Sequence, residues 1–249
     1  MQNIENWKPS KFIYKSGKLR ASRNPSEVGV GSRLMVDIIA KFYDCQIKKH
    51  VKGKLLDLGC GKVPLFEVYR DFVSEIICVD WENSLHKNEH LDATINLNLN
   101  EDLEFYDREF DTIILSDVLE HMRYPETILK EMYRIINYKG KILINVPFYY
   151  WLHEEPNDYF RYTRYALESI VKESGFEIIE LNALGGAPEI LADITAKNIL
   201  VLPIIGKIIS LSIQSFTWYF IKTRLGKKIS RLTSRKFPIG YYLIAQKLN

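Results

Sequence analysis

From Lys54 to Pro147 the chain alternates short apolar runs with stretches of mixed polarity. Leu55–Leu58, Ile76–Val79, the apolar part of Glu109–His121 and that of Tyr138–Pro147 are runs of this kind. Apolar runs too short for helices, without a polar alternate position, read as strands buried on both faces. The intervening stretches read as helices, so the pattern predicts a largely parallel sheet covered on both sides. Upstream, residues 1–24 are polar and basic with Trp7, Phe12 and Tyr14 interspersed, and read as an arm packed on the body. Leu34, Ile38, Ile39 and Phe42 recur at helical spacing and predict an amphipathic helix over Ser26–Tyr43. Downstream, a helix through Leu167–Glu173 stops at Gly175, a glycine C-cap. Phe176–Leu181 and Gly240–Gln246 read as two further strands.

The first two apolar runs each end in an acid, Asp57 and Asp80. Gly59-Cys60-Gly61 follows the first at once. A strand, a tight glycine turn, a helix and a parallel strand form a nucleoside-binding unit. The glycines let the backbone approach a ligand closely, and an acid at the end of the second strand can accept from both ribose hydroxyls. The dinucleotide fingerprint wants a third glycine three residues on, where Pro64 stands, which argues against an NAD-dependent oxidoreductase. Pro64 instead suits the first turn of a helix. No Gly-Lys-Ser/Thr follows, which excludes a P-loop.

Asp57-Leu-Gly-Cys-Gly61 closely resembles motif I of the class I S-adenosyl-L-methionine (SAM)-dependent methyltransferases, whose ligand has no pyrophosphate. Asn98–Phe105 resembles the family's segment over adenine, Glu109–His121 its fourth strand and following loop, and Tyr138–Pro147 its turn and fifth strand. The match runs in order over about residues 50–182 and is similar to the small-molecule, type 11-like branch. It implies a Rossmann-like, seven-stranded, mostly parallel sheet with helices on both faces. The last strand is antiparallel, and a helical insertion lies between strands 6 and 7. The expected division is an N-terminal arm and helix over 1–48 and a methyltransferase domain over 49–249, carrying the insertion at 183–237.

The resemblance assigns SAM to Asp57, Gly59, Gly61, Asp80, Trp81, Asn98, Leu99, Ser116 and Asp117. Asp57 would orient the ammonium, Asp80 the ribose, and Asn98 with the Leu99 backbone the adenine. Asn98 departs from the acid common at that place in the family. Trp81 can stack on adenine or cover the sheet edge. His121 reads as a structural or supporting residue. Just past the fifth strand, Trp151–Thr163 concentrates a His, carboxylates, aromatics and an Arg. This segment resembles the acceptor loop of methyltransferases encoded with bacterial polysaccharide genes. His153 or Asp158 would be the general base, since a protonated hydroxyl is a poor nucleophile. Tyr159, Arg161 and Tyr162 would contact the acceptor, unless Asp158 and Arg161 simply pair within a structural lid.

Composition narrows the setting. The 249 residues are 47% hydrophobic and 26% charged, which supports a packed core. A net charge of +3 does not call for nucleic acid. Three cysteines, Cys45, Cys60 and Cys78, lie far apart and point to a reducing, cytoplasmic setting. Met1–Asn6 lacks a signal pattern, so secretion is not expected. Spacing alone gives no metal-ligand set. The insertion is apolar over Ile199–Ile205 and Ile208–Ile221, then carries seven basic residues and no acid over 222–236. Pro203, Gly206 and Lys207 break the apolar run, so a peripheral membrane contact through 199–236 is expected rather than a span; internal packing or a homodimer is the alternative. The expected protein is a SAM-dependent methyltransferase of a small molecule, such as a glycan or lipid-linked glycan hydroxyl. A quinone-like or isoprenoid acceptor, or a non-catalytic SAM-binding protein, are the competing readings.

Overall fold

The computed structural model describes residues 7–81 and 94–248; the Met1–Asn6 segment considered above lies outside them. Its chain forms two compact units. The first gathers Met1–Lys8, Gln46–Asn182 and Tyr241–Asn249, the second Pro9–Cys45 and Ala183–Gly240.

In the second unit, β1 (Phe12–Lys15) and β2 (Lys18–Ala21) make an antiparallel hairpin within the segment whose polarity reads as an arm packed on the body. Its turn is Ser16-Gly17, both at positive φ (52° and 68°), a two-residue geometry that matches strand twist. The helix predicted over Ser26–Tyr43 is α1, Arg33–His50. It starts later because a 3-10 turn occupies Val30–Ser32.

The first unit carries most of the main sheet. In chain order its strands are β3 (Gly53–Leu58), β4 (Val73–Asp80), β5 (Thr94–Asn96), β6 (Phe110–Ser116), β7 (Ile136–Pro147), β8 (Glu177–Leu184) and β9 (Gly240–Gln246), in the spatial order β5-β4-β3-β6-β7-β9-β8. The pairings from β5 through β7 are parallel. β9 runs antiparallel: Lys139 N–H near the start of β7 donates to Lys247 O just past the end of β9, and Lys247 N–H returns to Gly140 O. Leu55, Leu56, Leu58, Ile113, Ile114, Leu115 and Ile142 are fully buried, as continuous apolar runs require. The helix after the glycine turn is short, α2 at Phe66–Tyr69, two residues beyond Pro64. Then come α3 (Pro125–Ile135), with proline in its first turn, and α4 (Arg164–Glu173). Thr163 Oγ1 caps α4 by accepting from Ala166 N–H at 3.2 Å.

Register decides where chemistry can sit. Leu58 pairs with Val79 on one side and Leu115 on the other, Asp80 pairs with Asn96, and Ser116 with Asn145. The carboxyl ends of five parallel strands therefore finish at one rim, the ligand edge of open α/β sheets.

The remainder of the second unit is helical: α5 (Ala187–Asn198), α6 (Ile205–Phe220) and α7 (Arg224–Thr233). α6 is turned opposite to an ordinary amphipathic helix. Gly206, Ser210, Gln214 and Thr217 are buried, while Ile205, Ile208, Phe216 and Tyr219 are exposed. The buried amide of Gln214 is satisfied: Oε1 accepts from Leu34 N–H at 2.9 Å, and Nε2 donates to Val30 O at 2.8 Å. Among the described residues no helix is long and apolar enough to cross a membrane.

The junction of α3 with β7 is closed by Lys247, which is buried. Its Nζ donates to Tyr133 O at 2.7 Å and Ile136 O at 3.1 Å and lies 4.6 Å from the Tyr133 ring centroid. Lys247→Met keeps the stem but strands two buried carbonyls, at a cost of about 2–3 kcal/mol. Urea unfolding should show a lower midpoint at unchanged slope; an unmoved midpoint would show that Lys247 does not hold this junction.

Candidate functional site

All the residues expected to hold ligand belong to the first unit. The turn after β3 is tied to the end of β4: Gly59 N–H and Cys60 N–H both donate to Val79 O, at 2.8 and 3.0 Å. Gly59 sits at φ +68°, and a Cβ there would meet Val118 Cγ2 at 2.4 Å. This glycine is therefore required twice, by its backbone angle and by close packing. Gly61 is also at positive φ, 50°. Val63 O accepts from the Trp7 indole N–H at 3.0 Å, and the Trp7 ring packs 5.2 Å from that of Phe66. Trp7 thus braces the glycine loop, a role that no local pattern in the N-terminal segment announces.

Asp57 is buried below this turn and accepts from the Tyr69 hydroxyl at 3.0 Å. Burial, with the Asp80 charge nearby, pushes its carboxyl up to about 7 against the lowering effect of Tyr69. Asp80 is buried at the end of β4, and Trp81 beside it is 44% exposed. Leu99 is buried, whereas the Asn98 side chain is engaged within its own turn. Asn98 Nδ2 donates to Glu101 Oε1 at 2.6 Å, and Oδ1 accepts from Asn100 N–H at 3.1 Å. Ser116 ends β6, and Asp117 follows at φ +55° with its N–H on Asn145 O at 2.9 Å. A non-glycine residue in this region stores backbone strain, which collects at ligand rims.

The segment 151–163 is pinned onto the turn after β6. Tyr159 and Phe160 N–H both donate to Glu120 O, at 3.0 and 3.2 Å. The Tyr162 hydroxyl donates to Leu119 O at 3.1 Å, which buries Tyr162. Arg161 forms a two-pronged pair with Asp158, and its Nη2 also donates to Trp151 O at 3.0 Å. Burial alone would raise Asp158, but the Arg161 bonds and the His153 N–H hold it down to about 2. His153 is half-buried, with Nδ1 3.2 Å from Asp158 Oδ2. Burial lowers its pKa first, followed by the neighbouring His121. Trp151, Tyr159 and Phe160 are exposed in the same segment.

The fold thereby assembles a group that spacing along the chain does not reveal. Glu120 is fully buried, and its Oε1 lies 3.7 Å from His121 Nε2 and 3.8 Å from His153 Nε2. The two imidazole centroids are 4.7 Å apart. Glu120 was not among the expected site residues, and His121 was expected only to support. A sequence signal exists in retrospect: an acid and a histidine adjacent inside the apolar stretch Val118–Met122, where neither is wanted by packing.

Comparison with known proteins agrees with this architecture. Residues 31–181 match the methyltransferase-domain family, and the chain belongs to it, among the class I SAM-dependent methyltransferases. S-adenosyl-L-methionine is the cofactor of that fold. The chain is similar to the tRNA U34 carboxymethyltransferase of Sulfurimonas denitrificans, 31% identical over 140 residues that cover 51% of this chain and 43% of that protein. The protein of the same description from Aliarcobacter butzleri is 32% identical over 155 residues, covering 54% and 51%. The chain thus spans about half the length of the curated relatives it matches. A SAM-dependent methyltransferase of Archaeoglobus fulgidus shares the fold with a TM-score of 0.55, 18% identity, and coverage of 83% of this chain and 94% of that one.

The residues around the turn suit a ligand with an ammonium and a ribose. Asp57, its carboxyl pushed up to about 7 by burial, gains a reason to ionise when a cation arrives. Its raised pKa also sets a sign for stability. The folded carboxyl holds its proton more tightly than the unfolded one, so its contribution favours folding at low pH. That contribution is lost as pH rises from the ordinary value of 3.8 towards about 7. Relative to Asp57→Asn, the ligand-free wild type should lose melting temperature between pH 5 and 8, and SAM should restore part of it. Parallel melting curves across that range would show that Asp57 is not perturbed.

Proposed function

We propose that this protein transfers the methyl group of SAM to a hydroxyl of a small-molecule acceptor, a glycan or lipid-linked glycan, with His153 accepting the hydroxyl proton. The observation that carries this reading is His153 itself, half-buried at the carboxyl rim of the sheet and flanked by exposed aromatics. Bound SAM supplies an activated methyl with a good leaving group. The chain's own residues then have two tasks, alignment and deprotonation. Alignment can supply roughly 7–11 kcal/mol in favourable cases.

For cofactor binding we assign Asp57 to the ammonium, Asp80 to the ribose hydroxyls, and the Gly59–Gly61 backbone to close approach. Trp81, Leu99, Ser116 and Asp117 complete the rim, and Asn98 would have to leave its Glu101 and Asn100 contacts to pair with adenine. Between the two candidate bases, His153 is favoured. Asp158 is ionised but held by Arg161, so it is a weak base; it accepts from the His153 backbone N–H at 3.0 Å and stands as a fixed negative charge beside the ring. Tyr159 is available to an acceptor, Arg161 serves mainly to hold Asp158, and Tyr162 supports the turn through Leu119 O.

The relatives' name offers a second reading, an RNA acceptor, since exposed aromatics stack on bases as well as on sugar faces. Labelled SAM incubated with cell extract separates the two: label should enter a low-molecular-mass or lipid-extractable product, whereas label in RNA would replace the glycan reading. His153→Ala should lower turnover on that acceptor by roughly 10²–10⁴-fold with SAM binding kept. The lowered His153 pKa keeps the imidazole neutral at pH 7, so kcat/KM should hold level there and fall only below the ordinary histidine range. Unchanged turnover in the variant would reduce the segment to a structural lid.

A lipid-linked acceptor also gives the inverted α6 helix a purpose. Its exposed face is apolar, and α7 next in sequence carries Arg224, Lys227, Lys228 and Arg231 with no acid. Lys222 between them has its pKa lowered by burial and then by Arg20 and Lys18, a sign of crowded positive charge in this unit. Apolar surface beside crowded cations is complementary to an anionic lipid surface, where each basic residue adds about 1 kcal/mol. The protein should sediment with anionic vesicles and be released by salt. Ile208→Asp and Phe216→Asp together should abolish this; equal recovery with neutral vesicles, or none with either, would leave the face to a second copy of the chain.

A further inference from the structure

We propose that Glu120, His121 and His153 bind one divalent transition-metal ion at the acceptor side of the site. One donor atom from each lies within 4.8 Å of the others. The orientation of the rings gives this proximity its meaning. His121 Nδ1 is 2.8 Å from Asn157 O, and His153 Nδ1 is 3.2 Å from Asp158 Oδ2. The Asn157 carbonyl draws the His121 ring proton to Nδ1, while the Asp158 carboxylate stands beside His153 Nδ1 without a hydrogen bond to it. The His121 Nε2 lone pair is then left facing Glu120 Oε1, and His153 Nε2 lies close to the same oxygen. The separations of 3.7 and 3.8 Å are beyond hydrogen-bond reach, and His121 Nε2 is buried without a hydrogen-bond partner among the described residues. A cation placed among these three donor atoms is attracted to each of them.

The arrangement matches how proteins build such sites. Metal-bound imidazoles have their far nitrogen held by a carbonyl or carboxylate, as the Asn157 carbonyl holds His121 here, and the Asp158 carboxylate stands 3.2 Å from His153 Nδ1. Bonds of about 2.1 Å in a tetrahedral site give ligand–ligand edges near 3.4 Å. The two Glu120–imidazole separations need to close by only a few tenths of an ångström, and the third edge lies within 4.8 Å. Two imidazoles and one carboxylate favour zinc, iron(II), cobalt(II) or manganese(II) over calcium or magnesium, which prefer all-oxygen sets. Three protein ligands leave coordination positions open, where an acceptor hydroxyl can bind and become more acidic. That consequence rests on the methyltransferase reading; ion binding itself does not. With the ion bound His153 is a ligand, so its service as base belongs to the ion-free protein.

The test is titration of the chelator-treated, full-length protein with cobalt(II), read by its visible d–d absorption. A Cys45→Ser background removes the exposed thiol as a competing ligand. One cobalt per chain is expected, without thiolate charge-transfer bands, and zinc should displace it. Glu120→Gln, His121→Ala and His153→Ala should each weaken cobalt binding by at least about tenfold, and Asp158→Asn by a comparable factor. Circular dichroism and SAM binding report whether each variant is folded. Should the buried positions not tolerate change, paramagnetic broadening of the His121 and His153 ring signals by cobalt in the unsubstituted chain gives the answer. No saturable uptake, uptake unchanged in folded Glu120→Gln and His121→Ala variants, or broadening confined to other histidines would overturn the proposal. Cobalt binding without SAM binding would instead fault the cofactor reading and leave the ion site standing.

Discussion

The in-register parallel pairing of β3 with β4 and β6 is the constraint on which the rest of this structure depends. Leu58 opposite Val79 and Leu115 fixes the level at which three strands end. A one-residue slip would send the side chains of β3 to the opposite face. Asp57 would then leave its place beside Tyr69, and the Gly59 and Cys60 N–H groups would miss Val79 O. The fully buried aliphatic side chains of these strands make such a slip costly, because each one lost from the core forfeits about 1.5–3 kcal/mol. The rim is thus held in place by apolar packing far below it.

At that rim, surroundings assign different work to chemically similar groups. Burial leaves Asp57 poised near 7, where a cationic ligand can tip it. Asp158, gripped by Arg161, stays ionised to about 2 and acts as a fixed negative charge beside His153. Glu120 has no exposure and faces two imidazole nitrogens. The segment carrying His153 is secured by bonds to the Glu120 and Leu119 carbonyls, so the turn after β6 both contributes chemistry and anchors the segment opposite it.

The second unit follows a different logic. α6 buries its polar and small residues, with Gln214 fully bonded, and exposes its isoleucines and aromatics. Burying polar groups is tolerable when each finds a partner. Leaving so much apolar surface outward is unusual for a chain without something to cover it. This unit is therefore best understood through what it meets, while the first is understood through what it binds at its rim.

Much of this was legible from sequence. Apolar runs ending in Asp57 and Asp80, with Gly59 and Gly61 between, determine strand, turn and strand through local rules of periodicity and backbone freedom. The antiparallel last strand at Gly240–Gln246 was read to the residue, because Pro238 and Gly240 mark its start. The hairpin at Phe12–Ala21 was not, since its strands of four residues are too short to show a period against a basic background. Sequence also could not decide which polar residues meet. Glu120 and His153 are 33 positions apart, and their approach depends on backbone bonds from Tyr159 and Phe160 that carry no side-chain signature. Trp7 reaches Val63 across a still longer separation. Local pattern fixes the elements because it acts over a few residues. The acid–histidine cluster and the outward face of α6 were decided only by tertiary packing, which sets what each side chain finds beside it.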